Sequence, residues 1–97
     1  MSEDQKGYNG WTNYETWVTK LWMDNDQASY NYFNDLAREN RKSPYDLSEL
    51  IKDHFEENNP LNNLPAGVYH DLMNAALSEV NWREIAETLI NDLDEEE

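Results

Sequence analysis

No cysteine occurs among the 97 residues, which removes disulfide frameworks, thiolate metal sites and a cysteine nucleophile together. Bases are scarce as well. Seven Lys and Arg stand against 21 Asp and Glu, for a formal net charge of -14. A surface of that sign repels phosphate backbones and anionic headgroups, so direct nucleic-acid binding and membrane-surface binding are both disfavoured. No run of about 18 apolar residues is present, and MSEDQKGYNG at the start has no apolar signal core, so the expected location is the cytoplasm. No stretch alternates apolar and polar residues for long enough to make a strand.

What is present is aromatic. Hydrophobic residues are 38% of the chain, but four Trp, six Tyr and two Phe enlarge the apolar payload. A folded domain is therefore expected despite a mean hydropathy of -1.03. The length suits one domain with a single modest core.

The residues from 1 to 10 read as a flexible, polar arm. From there to residue 93 the pattern predicts a helical domain, and residues 94–97 form an acidic tail. TNYE (Thr12 to Glu15) fits a capping box, in which the Thr12 hydroxyl and the Glu15 carboxylate each accept from the other's amide. Behind it Tyr14, Trp17, Val18, Leu21 and Trp22 recur at helical spacing, a stripe of roughly 140° with Trp17 and Trp22 at its edges. That width suits a core-facing helix. Ser29, Phe33, Leu36 and Ala37 give a second amphipathic segment. Ser43 and Pro44 suit the cap and first turn of a third, whose stripe is Leu47, Leu50, Ile51 and Phe55. A fourth helix is expected to start at Pro65, with Val68, Tyr69, Leu72, Met73 and Ala76 inside. Asn81 to Glu84 is a second capping box, opening a fifth helix with Trp82, Ile85, Ala86, Leu89, Ile90 and Leu93 in register. The expected fold class is all-α, a compact single domain of four to five short amphipathic helices.

Chemistry is poorly represented. Asp24-Asn25-Asp26 opens like a calcium loop, but Ala28, Ser29 and Asp35 stand where that loop needs an oxygen ligand, a glycine and a glutamate. A helix-to-helix turn with capping aspartates is the better reading. His54 and His70 lie on different helices without a partner one turn away, which disfavours zinc. No phosphate loop or nucleophile elbow occurs, and His70-Asp71, adjacent on a helix, point in different directions. No enzyme, metal or cofactor is expected. Arg38, Arg41 and Lys42 cluster where cations complement the end of the second helix.

The acids are arranged. Asp46, Glu49, Asp53, Glu56 and Glu57 follow one face of the third helix; Glu84, Glu87, Asp94 and Glu95 lie to one side of the fifth. Residues three or four apart stand about 5–6 Å from each other on a helix, close to the spacing of phosphates along a strand. Acids near helix C-termini oppose the helix dipole, so stability does not ask for them. A solvated face that keeps the domain soluble is the plain alternative to a partner-binding face. A parallel choice holds for Trp11, Trp17 and Trp22: core, or an aromatic rim at a protein interface.

WTNYETW, LW and ND (residues 11–17, 21–22 and 25–26), with LMNAALSEVNWREIAE at residues 72–87, resemble a family of small uncharacterised proteins of phages, plasmids and other prokaryotic mobile elements. The resemblance implies that setting and carries no catalytic or binding residue. Two functions remain open. One is a non-enzymatic protein that binds a basic protein surface through its acids, in its sharpest form an inhibitor imitating nucleic acid before a host DNA-binding defence protein. The alternative is an interaction module using an exposed Trp/Tyr rim, its acidity serving solubility. Oligomeric state is not legible.

Overall fold

Helix-forming stripes, interrupted by polar turns, are realised as five helices in a computed structural model that describes residues 7–63 and 65–96. They are α1 (Tyr14–Asn25), α2 (Gln27–Glu39), α3 (Pro44–Glu57), α4 (Val68–Glu79) and α5 (Trp82–Glu96). Helix α5 is the axis. It packs chiefly on α3, then on α2 and α1, while α4 approaches α1 alone. The core follows: Ile85, Ala86, Leu89, Ile90 and Leu93 of α5 meet Leu47 and Ile51 of α3, Phe33 and Ala37 of α2, and Met23 of α1. The fifth-helix stripe is thus buried as its spacing predicts.

Three predicted caps form. Ser43 Oγ accepts from the Asp46 amide (3.2 Å) with Pro44 at the first helical position. Asp26 accepts from the Ser29 amide (2.9 Å), so the Asp24–Asp26 run is the helix-to-helix turn. Asn81 Oδ1 accepts from the Glu84 amide (3.0 Å).

The first cap differs. Asn13, not Thr12, caps α1, accepting from the Thr16 amide (2.9 Å) and hydroxyl (2.6 Å). Glu15 cannot receive the Thr12 amide, because that N–H donates to Glu84 Oε1 across the molecule (3.0 Å). Ahead of it, residues 7–10 are folded. Asn9 (φ 47) and Gly10 (φ 89) make a two-residue turn with both central residues left-handed, the geometry Asn-Gly favours. The Tyr8 and Trp11 amides and carbonyls are paired across it (3.0 and 2.7 Å). A side chain at Gly7 would meet the Thr12 carbonyl at 2.7 Å. Residues 1–6 of the expected arm lie outside the described residues, as does Glu97 of the tail. The backbone of residues 94–96 continues α5.

Two buried faces depart from the apolar pattern. On α1 the buried residues are Thr16, Lys20 and Met23, at spacings of four and three. None of Tyr14, Trp17, Val18, Leu21 and Trp22 is buried, and at 100° per residue that stripe centres nearly opposite the buried one. Polar Thr16 and Lys20 are tolerated inside because both are satisfied. Thr16 is hydrogen-bonded at its hydroxyl, and Lys20 reaches Asp24 (2.7 Å) while its stem lies among apolar groups. On α4 nothing is buried. Met73, Ala76 and Leu77 are half-buried, whereas Val68, Tyr69 and Leu72 are exposed. The helix starts at Val68 behind Gly67, which supplies no side-chain cap, and α1 is the one helix that approaches it among the described residues. Leu50 of the third stripe is also exposed, its place inside taken by Ser48.

Asn13→Ala should destabilise the domain more than Ser43→Ala, for which about 1 kcal/mol is typical of a lost cap. Asn13 also donates through Nδ2 to the Glu79 carbonyl (2.7 Å), so its loss severs α1 from the end of α4 as well. Urea melts of the two variants check the order.

Candidate functional site

Three surfaces compete for the role of functional site, and the chain builds each from a different device. The first is the join between α1 and the α4–α5 corner. Besides the Thr12–Glu84 and Asn13–Glu79 bonds, the Asn81 amide donates to Thr16 Oγ1 (2.8 Å) and Asn81 Nδ2 donates to Thr12 Oγ1 (3.1 Å). The second capping box is therefore shared: Asn81 caps its own helix, but Glu84 reaches over to cap the approach to α1. Glu84 is 9% exposed. It is part of this clasp and is not available to an acidic partner-binding face.

The second surface is that acidic face. Asp46, Glu49, Asp53, Glu56 and Glu57 are all exposed on α3, as are Glu87 and Asp94 on α5. Glu87 is held by Arg83 Nε at 3.0 Å, an exposed pair worth little to stability. The Glu95 side chain lies outside the described residues. Among the described residues no group of three or more His, Asp or Glu comes together in a way that would hold a metal ion.

The third surface is aromatic and apolar, and only part of it coincides with the expected rim. Trp11 packs against the core and does not belong to a rim. Trp17 is half-covered, its indole 4.9 Å from the Tyr8 ring and 5.7 Å from Tyr14. Trp22 is 66% exposed. On α4 the exposed apolar members include Val68 (64%), Tyr69 (76%) and Leu72 (60%), which sequence reasoning placed inside. Nothing in their pattern could have revealed this, since an apolar stripe reads alike whether or not another helix arrives to cover it.

The edge of α3 that carries His54 and Phe55 lines one hollow with α1 and another with α4. His54 is cradled by Tyr32 and Phe33 (ring centroids 5.0 and 5.2 Å), and Phe55 stacks on Phe33 (5.7 Å, 4°) and leans on Trp82 (5.5 Å). Two hollows open on this edge. One, of about 140 Å³, is lined by Trp22 and Met23 with His54 and Phe55; the other, of about 330 Å³, by Met73, Leu77 and Pro60 with the same pair. A third, of about 480 Å³, is more polar, with Lys52, Glu56, Asn74 and Trp82 on its walls. Arg38, Arg41 and Lys42 line a separate hollow at the α2–α3 turn, where Arg38 is paired with Asp35 (2.8 Å).

A family of unknown function, DUF7249, matches residues 4–96, almost the whole chain. The chain belongs to that family. No curated protein matches it, and no solved structure does. The stretches WTNYETW and NWREIAE meet in the clasp: Thr12, Asn13 and Thr16 come from one, Asn81 and Glu84 from the other. Their job in this fold is to lock α1 onto α5. Among the described residues no helix is long and apolar enough to cross a membrane.

Proposed function

We propose that this protein acts by binding another protein, without chemistry of its own, in the cytoplasm of a cell hosting a phage or other mobile element. The observation that carries the reading is the large apolar exposure at Trp22, Val68, Tyr69 and Leu72 in a domain whose core is already filled by other residues. Val68, Tyr69 and Leu72 share one side of α4; exposed apolar area of this kind characterises interaction surfaces, and Trp and Tyr concentrate binding energy there.

A second reading is supported by the acids of α3. All five stand exposed along one face, as an inhibitor that imitates nucleic acid before a basic host protein would require. The two readings part under salt. Attraction through the α3 acids is screened over about 8–10 Å at ordinary ionic strength and competes with DNA for one groove. Apolar contact survives salt.

The experiment is affinity capture from host lysate at low and high salt, with the wild type beside two variants. Asp46→Asn, Glu49→Gln, Asp53→Asn and Glu56→Gln together preserve shape. If each lost contact is worth about 0.5 kcal/mol, the four lower affinity more than tenfold under the mimicry reading. Tyr69→Ser with Leu72→Ser should abolish capture under the apolar reading. A partner retained by both variants at both salts would refute both.

A further inference from the structure

Two hollows, one shared with α1 and one with α4, open on the His54–Phe55 edge of α3, and read together as one groove their chemistry says what fits. We infer that this groove docks a basic amphipathic helix of a partner protein, one with an apolar stripe bordered by Lys and Arg. This rests on the protein-binding reading and names the partner's chemistry.

The floor is the His54–Phe55 edge, with Trp22 of α1 on one side and Met73 and Leu77 of α4 on the other, each pair lining its own hollow against that edge. Tyr69 continues the α4 wall, because positions 69, 73 and 77 recur every four residues on one helix face. Trp22, His54, Phe55, Met73 and Leu77 all stand on helices, and ridges of a further helix seat naturally against such surfaces. The two hollows, of about 140 and 330 Å³, take successive apolar side chains, as in helix-in-groove recognition.

Charge decides among the occupants. Asp53 and Glu57 flank His54 on α3, three positions or fewer away on the same helix, and both are exposed. Helix α4 contains no Lys or Arg, and the one Lys of α1, Lys20, is buried and tied to Asp24. Lys52, on the neighbouring polar hollow with Glu56, is the nearest cation on α3. A second copy would bring another net charge of -14 against the same acids, and like charges in juxtaposition are rejected. Nucleic acid and anionic lipid carry the wrong sign for the same reason. A stripe of apolar anchors flanked by cations satisfies the floor and these acids together.

The test uses the full chain and three synthetic peptides of about 18 residues, long enough to span such a groove as a helix. One has leucines at helical spacing and lysines elsewhere. A second has the same composition scrambled so that the stripe is lost. The third keeps the stripe but replaces lysine by glutamate. Binding is followed by amide and indole NMR shifts. The first peptide should bind saturably, shift the Trp22 indole and the amides around His54, Tyr69 and Met73, and outbind both controls by at least tenfold. Trp22→Ser with Tyr69→Ser, both at exposed positions, should lose that binding while keeping the parent's helical circular dichroism and melting point. Asp53→Asn with Glu57→Gln should weaken it severalfold.

Equal binding of the scrambled peptide, or shifts confined to the Asp46–Glu49 end of α3, would overturn the groove while leaving protein binding through the acids in place. Preference for the glutamate peptide, or self-association in sedimentation that the Tyr69 variant abolishes, would overturn the basic partner in favour of another occupant. No saturable binding of any peptide would overturn the proposal outright, and capture of a salt-resistant partner in lysate would still decide the broader reading separately.

Discussion

Phe33→Ala is expected to destabilise the domain by about 3–5 kcal/mol, the range for truncating a buried aromatic. Phe33 is 2% exposed and is the ring on which Tyr32, His54 and Phe55 all converge. Its removal opens a cavity where α2 meets α3 and leaves the stacked Phe55 without its partner. Trp22→Ala, though it deletes a larger side chain, should change stability by no more than about 0.5 kcal/mol, as exposed substitutions do. Urea unfolding followed by circular dichroism reads both. A Trp22 variant as unstable as the Phe33 variant would place that indole in the core and remove the apolar flank. For Trp17, half-buried against Tyr8 and Tyr14, the expected cost lies between the two.

Thr16→Val should cost about 1–3 kcal/mol, although it exchanges groups of nearly equal size. Thr16 is fully buried, and its Oγ1 accepts from the Asn81 amide while its hydroxyl donates to Asn13. Valine leaves the Asn81 N–H without its partner, and an unsatisfied buried donor costs its desolvation. Thr16→Ser keeps the hydroxyl and should restore most of the loss, which separates the hydrogen bond from packing. Native-state hydrogen exchange adds a local reading: the Asn81 amide should lose protection in the valine variant and keep it in the serine variant.

How far the sequence was legible depended on what each helix packs against. Helix α5 is surrounded, so its apolar residues Ile85, Leu89 and Leu93 had one place to go and their spacing told the truth. Ser43 with Pro44, and Asn81 with Glu84, announced their caps through local chemistry alone. Helix α1 was misread because apolar spacing cannot see a hydrogen bond closed by a residue 65 positions away. That bond and the Lys20–Asp24 pair let polar groups take the inner face. The missed turn at Asn9-Gly10 was legible, since that dipeptide is a hairpin signal, but the surrounding polar residues argued for an arm. Of the acidic face, Glu84 was misplaced for the same reason as α1: its carboxylate works at long range. Exposure of Tyr69 and Leu72 had no signature in the chain, because whether a helix face is covered depends on which neighbour reaches it.

The clasp also sets an order of events during synthesis. Thr12 and Thr16 are made first and wait for Asn81 and Glu84, which emerge almost at the end. At about 5–20 residues per second, several seconds pass between the synthesis of Thr16 and that of Asn81, and through that interval the clasp stands open. The tryptophans of α1 are then open to any chaperone or partner that waits at the exit tunnel. A partner able to grip Trp22 at that stage would meet the nascent chain before the fold has closed.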